Sequence, residues 1–339
     1  MKTIRWGILG CGLIANKFAE ALQKTPYASC AAAAARDAAR AADFAEQWNF
    51  KRSYGSYREL VEDPEVDIIY IATPHSYHYA HTLLCLEAGK HVLCEKPFTI
   101  NRPQLVKLIH IAREKKLFLM EALWTKFLPG ILKVKSLISE GAIGDIITMD
   151  VDFGMNFPYD PEHRIYNPLL GGGALLDIGI YPLFLMLDLF GKPGELIAHS
   201  NLNNNNIDLT TSLITLSESG TVCHVYSTIQ SNTPVKARIN GSKGYIEFGN
   251  WWFTPVDILL QVDEEDVKKL SFPPLVNGYE YEAIEAVKCL NEGRRESPEM
   301  PLEFSLLLME MMDKIRGITG ITYPHEIESV EQPYGWDAL

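Results

Sequence analysis

In residues 1–121, short apolar runs alternate with amphipathic segments whose apolar positions recur at helical spacing. The third run, residues 66–72, is rich in β-branched residues and shows no alternation, as in strands that are buried on both faces. We expect strands at residues 3–9, 29–35, 66–72, 91–94 and 117–120, and helices at residues 14–24, 38–48, 75–88 and 104–116. Such strands, when helices separate them, form a parallel, doubly wound α/β sheet.

From residue 122 the pattern changes to that of an α+β domain with a mainly antiparallel sheet. We expect strands at residues 145–153, 196–201, 211–216, 221–229, 235–240, 245–248 and 258–262, and helices at residues 131–140 and 174–190 and in two late segments. A loop rich in Pro, Asn and Gly spans residues 156–173. We therefore predict two domains, residues 1–121 and residues 122–339.

Composition narrows the class of protein. A length of 339 residues favours two domains, and a net charge of −12 with a pI near 5.3 argues against binding to nucleic acid or to an anionic membrane. No apolar run comes close to the roughly 20 residues of a membrane span. Six cysteines without CxxC pairs indicate buried free thiols and a soluble, cytoplasmic protein. No metal site is expected, and we interpret four histidines as surface or structural residues, namely His163, His199, His224 and His325.

A glycine-rich turn follows the first predicted strand. Residues 10–15, GCGLIA, have the pattern G-x-G-x-x-A and open the first helix. The first glycine permits a tight turn, the second lets a pyrophosphate approach the backbone, and the helix N-terminus donates to the anion. We expect dinucleotide binding, with a packing turn as the alternative, and the predicted contacts are Gly10, Cys11, Gly12, Leu13 and Ile14.

The end of the second predicted strand bears on the choice of cofactor. An acid there accepts a hydrogen bond from the ribose 2′-hydroxyl of NAD, whereas an arginine binds the 2′-phosphate of NADP. Arg36 and Asp37 are both present, and Arg40 follows one helical turn later. The two arginines favour NADP, while NAD stays possible. The alternative is that both arginines belong to a solvated helix start.

Two further strand ends carry polar residues. Ligands bind beyond the carboxyl ends of strands in open α/β sheets. Thr73, Pro74, His75 and His78 follow the third predicted strand, and Glu95-Lys96-Pro97 ends the fourth. We expect the four residues after the third strand to contact the cofactor, and we expect the same of Glu95 and Lys96. Pro97 instead forces Lys96 into an extended conformation. The alternative for Glu-Lys-Pro is a plain charged turn.

An acid and a tyrosine stand one helical turn apart in the second domain. Asp177 and Tyr181 are spaced i, i+4 after three consecutive glycines, so their side chains share one helix face. A tyrosine, whose ordinary pKa is about 10, needs a neighbouring cation to act near neutral pH. We expect Lys96 to be that cation. The alternative for Tyr181 is a packed ring with a satisfied hydroxyl, and for Trp251 and Trp252 we favour sheet packing over a sugar platform.

The whole chain resembles the glucose–fructose oxidoreductase/inositol dehydrogenase/MocA (Gfo/Idh/MocA) family. The segments that carry the resemblance are residues 10–15, ATPHSYH at 72–78, AGKHVLCEKP at 88–97 and GGGALLDIGIYPL at 171–183. Within the family, residues 117–129 and Tyr181 are most similar to dimeric dihydrodiol dehydrogenases and NADP-dependent aldose dehydrogenases. Many other members have histidine at the position of Tyr181.

The resemblance implies a Rossmann domain, a C-terminal domain with a large open sheet, and a homodimer formed through that sheet. It implies catalytic roles for Lys96 and Tyr181 with Asp177 beside them, a cis Lys96–Pro97 peptide, and substrate contacts from Trp124, Phe153, Asp177 and Tyr181. Lys126 departs from the arginine that is usual in this context, and the two are not equivalent in planar recognition.

These observations predict an NAD(P)-dependent dehydrogenase or reductase that acts on CH–OH groups. The expected substrate is a sugar, polyol or cyclic diol, with Tyr181 exchanging the hydroxyl proton, Lys96 stabilising negative charge, and Asp177 orienting the substrate or relaying the proton. The alternative is a non-catalytic dinucleotide-binding sensor of the same fold. The enzyme is favoured because the chain has all three of the expected catalytic residues, Lys96, Asp177 and Tyr181.

Overall fold

The structure, a computed structural model, describes residues 1–324. The last 15 residues of the predicted second domain, His325 among them, lie outside this range. By backbone contacts the described chain forms two compact units. The first comprises Met1–Trp124 and Leu275–Met309, and the second comprises Thr125–Pro274 and Glu310–Pro324.

A six-stranded parallel sheet forms the centre of the first unit. Its strands are β1 Ile4–Leu9, β2 Ala28–Ala34, β3 Arg52–Tyr54, β4 Ile68–Ile71, β5 His91–Glu95 and β6 Leu119–Ala122. The spatial order β3-β2-β1-β4-β5-β6 is that of a dinucleotide-binding doubly wound fold. The predicted α/β class is therefore confirmed.

Five helices connect these strands, namely α1 Leu13–Leu22, α2 Ala38–Gln47, α3 Tyr57–Glu62, α4 His78–Glu87 and α5 Arg102–Lys115. Asn101 caps α5, since its Oδ1 accepts a hydrogen bond of 3.0 Å from Gln104 N. The sequence pattern did not predict β3 and α3. Both are short, and no residue of β3 is fully buried, so hydrophobic periodicity is weak there.

The segment Leu275–Met309 returns to the first unit. It contains α8, Glu280–Asn291, and the start of α9, Leu302–Thr319. The Asn277 side chain donates to Lys17 O at 2.9 Å, and Leu119 N donates to Arg295 O at 3.0 Å. The sequence did not indicate this return, because the apolar stripe of a helix does not say which sheet it packs against. The boundary at 121/122 stays a prediction.

The second unit contains an eight-stranded sheet. Its strands are β7 Ile146–Gly154, β8 Glu195–Leu202, β9 Asp208–Leu216, β10 Val222–Thr228, β11 Ala237–Gly241, β12 Gly244–Phe248, β13 Ile258–Val262 and β14 Lys268–Leu270, and its helices include α6 Pro129–Ser139 and α7 Ile180–Phe190. The order is β14-β13-β12-β11-β7-β10-β9-β8, and every pair is antiparallel except β7 with β10. The mainly antiparallel sheet is confirmed, and β14 was not predicted.

The predicted helix at residues 174–190 begins with a π-helical turn, Leu175–Gly179, that continues into α7. By length and composition alone the helical segment Pro168–Phe190 could cross a membrane, since its most apolar 18-residue window has a mean hydropathy of 1.7. However, 83% of its most apolar window is buried inside the protein, as in the core helix of a folded domain.

Candidate functional site

The glycine turn after β1 has the shape of a phosphate cradle. Gly10 has φ +98°, and a Cβ there would lie 3.0 Å from Ala72 O, so only glycine is tolerated. At Gly12 a Cβ would meet nothing closer than Ala72 O at 4.0 Å. Within the described chain no side chain caps α1, so its first N–H groups are suited to bind an anion. These residues fit a dinucleotide.

The neighbouring predicted contacts differ in exposure. Leu13, the first residue of α1, is 91% exposed, whereas Ile14 is half-buried. Cys11 is buried and donates weakly to Ala34 O, and burial raises the pKa of its thiol to about 11. Cys11 is therefore not a thiolate near neutral pH, and its cofactor contact stays a prediction that concerns its backbone. All six cysteines are free thiols, as predicted, although Cys30 is only half-buried.

The two residues that bear on cofactor choice have different surroundings. Asp37 is the N-cap of α2, and its Oδ1 accepts from Ala39 N at 2.9 Å and Arg40 N at 3.3 Å. Arg40 Nε donates to Cys11 O at 3.0 Å. Arg36 is exposed, and no described residue pairs with it in an ion pair or hydrogen bond. The acid is thus engaged by the helix while the guanidinium of Arg36 is accessible.

The end of β4 is tied to the end of β5 by a buried histidine. His78 is fully buried, with Nε2 2.8 Å from Thr73 O and Nδ1 2.7 Å from Pro97 O. The pKa of His78 is lowered to about 4 because burial outweighs the hydrogen bonds to the two carbonyl oxygens, which raise it. Its geometry indicates a supporting role. His75 is buried beside it, with ring centres 5.7 Å apart, and Pro74 is half-buried.

Lys96 lies at the carboxyl end of β5. It is half-buried, and the Lys96–Pro97 peptide is cis, as the resemblance implied. Its backbone N donates to Glu95 Oε2 at 3.2 Å, and the hydroxyl of Tyr70 donates to Glu95 Oε1. Glu95 is 5% exposed. The backbone that carries Lys96 is thus anchored to a buried carboxyl group.

Two more buried acids accompany Glu95, and neither was identified from the sequence. Burial, and then the charge of Glu95, raise the pKa of Glu282 well above its ordinary value. The pKa of Glu121 is raised to about 7, mainly by burial, although its Oε1 accepts from Phe98 N at 3.0 Å. Glu282 lies on the buried face of α8, so an acid at an otherwise apolar helix position was the only sequence signal that could have identified it.

In the second unit, Asp177 lies in the π-helical turn and is paired with an arginine that sequence reasoning missed. Arg164 Nη1 donates to Asp177 Oδ1 at 2.9 Å and Nη2 donates to Oδ2 at 3.2 Å. Asp177 is 4% exposed. Arg164 belongs to an irregular loop, where no periodicity could have indicated its partner.

Tyr181 lies on α7 among aromatic rings. The ring of Phe153 is 5.7 Å away and that of Phe253 is 5.0 Å away, and these two phenylalanines stack at 4.3 Å. Trp252 is fully buried and donates to Asp152 O at 3.0 Å, which confirms sheet packing. Trp251 differs, because it is 44% exposed and meets Phe153 edge-on at 6.3 Å.

The other positions that the resemblance implied have well-defined neighbours. Trp124 is buried in the first unit and stacks on Tyr279 at 4.3 Å. Lys126 is buried and pairs with Asp188, which also contacts Lys135 at 3.0 Å. The charge of Lys126 is therefore neutralised inside the second unit.

The structure groups the predicted residues in two sets. One set lies at the carboxyl edge of the sheet in the first unit and comprises the glycine turn, Arg36 and the ends of β4 and β5, with Lys96. The other set lies in the second unit and comprises Asp177, Tyr181 and Phe153. Their joint action stays a prediction. Among residues 1–324, no group of three or more His, Cys, Asp or Glu side chains is arranged to hold a metal ion.

Comparisons with known proteins agree with this geometry. Residues 4–123 match the oxidoreductase family with an NAD-binding Rossmann fold, and residues 131–247 match the GFO/IDH/MocA C-terminal domain. A trans-1,2-dihydrobenzene-1,2-diol dehydrogenase from Mus musculus is 36% identical over 95% of this chain and 99% of its own length. A D-xylose 1-dehydrogenase (NADP(+)) from Hypocrea jecorina is 34% identical over 96% of this chain and 94% of its own length.

Among solved structures, a 3-ketoreductase from Actinomadura kijaniata in complex with NADP and TDP-benzene is similar to this chain. The TM-score is 0.85 at 27% identity, over 94% of this chain and 98% of the other. Fold, cofactor cradle and relatives lead to one conclusion. The chain belongs to the Gfo/Idh/MocA family of oxidoreductases.

Proposed function

We propose that this protein is an NADP-dependent dehydrogenase or reductase that acts on a CH–OH group of a sugar, polyol or cyclic diol. The observation that carries the proposal is the position of Lys96. It lies at the carboxyl edge of the same parallel sheet whose first strand ends in the glycine cradle. The neighbouring strand ends of such a sheet are where a dinucleotide and its substrate bind.

The residues of the first unit account for cofactor binding. Gly10, Gly12 and the N-terminus of α1 receive the pyrophosphate, and Arg36 binds the 2′-phosphate of NADP. When bound, NADP supplies the hydride acceptor or donor. Lys96 stabilises the negative charge that develops on the substrate oxygen.

Residues of the second unit act on the substrate. Tyr181 exchanges a proton with the substrate oxygen, and Asp177 orients the substrate. Phe153 and Phe253 give the surroundings of Tyr181 an apolar character. Such a wall suits the C–H face of a sugar ring or of a cyclic diol, and the relatives that act on D-xylose and on a dihydrobenzene diol support this class.

We also infer a homodimer and a cytoplasmic location. The sheet of the second unit has an open face with exposed apolar side chains, on which Ile197 is 68% and Ile214 49% exposed. Free thiols are typical of a reducing compartment, which supports the cytoplasm.

The proposal predicts the effect of two substitutions on turnover. Lys96→Met and Tyr181→Phe should each lower kcat by about 10²-fold or more with a panel of aldoses and cyclic diols, because each removes one part of the proton-transfer and charge-stabilising pair. Turnover is followed by the absorbance of the reduced nicotinamide, and cofactor binding by calorimetry.

Lys51→Met and Tyr245→Phe are the matched controls. Lys51 is exposed in the first unit, and a phenylalanine keeps the ring that Arg238 contacts at 3.7 Å. Both controls should keep wild-type kcat. If Lys96→Met and Tyr181→Phe also do, the catalytic assignment is wrong. A wild-type protein that binds NADP but turns over no substrate would indicate the non-catalytic sensor.

A further inference from the structure

The ion pair between Arg164 and Asp177 is the feature of the second unit that the proposed function leaves unexplained. Both carboxylate oxygens of Asp177 accept from one guanidinium, at 2.9 and 3.2 Å, in the parallel two-bond geometry that is the strongest form of this contact. The side chain of Asp177 is 5% exposed and that of Arg164 is 46% exposed. One member of the pair is therefore buried, and the other faces solvent.

The backbone around Asp177 is held from a second side. Asp208 at the start of β9 accepts from Leu175 N at 2.7 Å and from Thr211 Oγ1 at 2.8 Å. The first turn of the π-helical segment is therefore fixed to the sheet, and Arg164 fixes the carboxylate from the loop. Other ionisable groups of the described chain lie in this region: Tyr323 interacts electrostatically with Asp177, Asp208 and Arg316, and Tyr181 follows Asp177 by four residues along the helical segment.

A carboxylate in this setting is a poor proton carrier. To relay a proton it would have to become protonated, which removes the negative charge that pairs with Arg164. As a fixed anion it can instead accept hydrogen bonds in one orientation. Of the two roles that the sequence left open for Asp177, the geometry favours orientation.

We propose that Arg164 is a positioning residue that keeps Asp177 ionised and correctly aimed beside Tyr181, so that Asp177 orients the substrate and Tyr181 alone exchanges the proton. The inference rests on the proposed function, since it concerns the same site. It assigns a task to a loop residue that no motif indicated.

The test compares Arg164→Leu and Arg164→Lys with the wild type between about pH 6 and about pH 8. Without its cation the buried carboxylate of Asp177 should take up a proton at a higher pH. Arg164→Leu should therefore lose about tenfold in kcat/KM at the upper pH, and as the pH falls it should lose a further severalfold beyond any fall in the wild-type profile. Arg164→Lys should restore part of the loss, since it returns the charge without the planar geometry.

Binding provides a readout that does not depend on turnover. Calorimetry with an unreactive polyol in the presence of oxidised cofactor should show the same pH-dependent weakening in Arg164→Leu. The matched control is Arg52→Leu, since Arg52 is 35% exposed and pairs at 2.8 Å with Asp63, which is 3% exposed. This control should lower the melting temperature and leave both pH profiles unchanged.

A wild-type pH profile in Arg164→Leu, with or without a uniform loss of activity, would overturn the inference, because Arg164 would then be merely structural. Failure of the proposed function has a different signature. In that case Lys96→Met and Tyr181→Phe keep wild-type turnover, or no substrate reacts, while the binding measurement still reports on Arg164.

Discussion

At the scale of single residues, the buried carboxyl of Glu121 makes stability depend on pH. Its pKa is raised to about 7, chiefly by burial. A raised acid pKa adds stability below the ordinary pKa of the acid, and this contribution is lost as the pH rises through about 7. Glu121→Gln should abolish this loss, because the amide keeps an acceptor for Phe98 N and never ionises.

The expected result is a smaller fall of the melting temperature between about pH 6 and about pH 8, by roughly 2 to 4 °C relative to the wild type. Calorimetric scans in matched buffers measure it. Glu62→Gln, at an exposed position of α3, is the control and should follow the wild type. An unchanged pH dependence in Glu121→Gln would mean that this carboxyl does not titrate in the window.

Arg36 provides a second test at this scale. Asp37 is engaged as the cap of α2, so the accessible guanidinium of Arg36 is expected to select the cofactor. Arg36→Leu should raise the KM for NADP by about tenfold or more, because a charge-assisted contact with the 2′-phosphate is lost. Steady-state kinetics with NAD, which lacks that phosphate, is the internal control and should change little. Equal changes with both cofactors would contradict the assignment.

At the scale of elements, the eight-stranded sheet has one open face. Ile197 on β8 is paired with Ile214 on β9, and both are well exposed. On the same face, His224 lies 2.7 Å from Asp150, and Arg238 pairs with Glu247 at 2.8 Å. The mixed polar and apolar composition alone does not distinguish an interface, so the adjacent exposed isoleucines are what support the proposed one.

Ile214→Glu should therefore convert the proposed dimer to a monomer at micromolar concentration, because a charge would be buried in the interface. Light scattering coupled to size-exclusion chromatography measures the mass. Ile318→Glu is the matched control, since Ile318 is 50% exposed on α9 and Ile214 is 49% exposed. A dimeric Ile214→Glu, or a monomeric wild type, would rule out this face.

The elements also show where sequence patterns are informative. Buried strands such as β1 and β4 were predicted within one or two residues, because their largely apolar sequences leave few alternatives. β3 and β14, of three residues each, were missed. Three residues are too few to show a period, and neighbouring strands determine their pairing.

The π-helical turn could not be predicted either. Asp177 and Tyr181 were expected to share a helix face, and the segment is helical as expected. Its wider first turn depends on tertiary contacts, since Gly179 packs so closely on Ser227 that a Cβ would lie 2.8 Å from Ser227 Oγ. Such turns are common at functional sites.

At the scale of the whole molecule, a net charge of −12 does not favour an anionic cofactor. An anionic cofactor must therefore be held by local donors, and the N-terminus of α1 and the accessible Arg36 can provide them. Two of the remaining positive charges are neutralised internally, by Asp188 for Lys126 and by Asp177 for Arg164. The attraction of an anionic cofactor therefore depends on local donors and not on the net charge of the protein.

The sequence by itself determined the fold class, the glycine cradle and the placement of Lys96, because each depends on local patterns: apolar runs, a strand–turn–helix motif and a strand end. Only the tertiary structure decided the pairing of Arg164 with Asp177, the buried acids around Glu95 and the return of Leu275–Met309 to the first unit. These features join residues that are distant in sequence or lie in irregular loops. Hydrophobic periodicity determines which face of an element is buried, but not which element covers it.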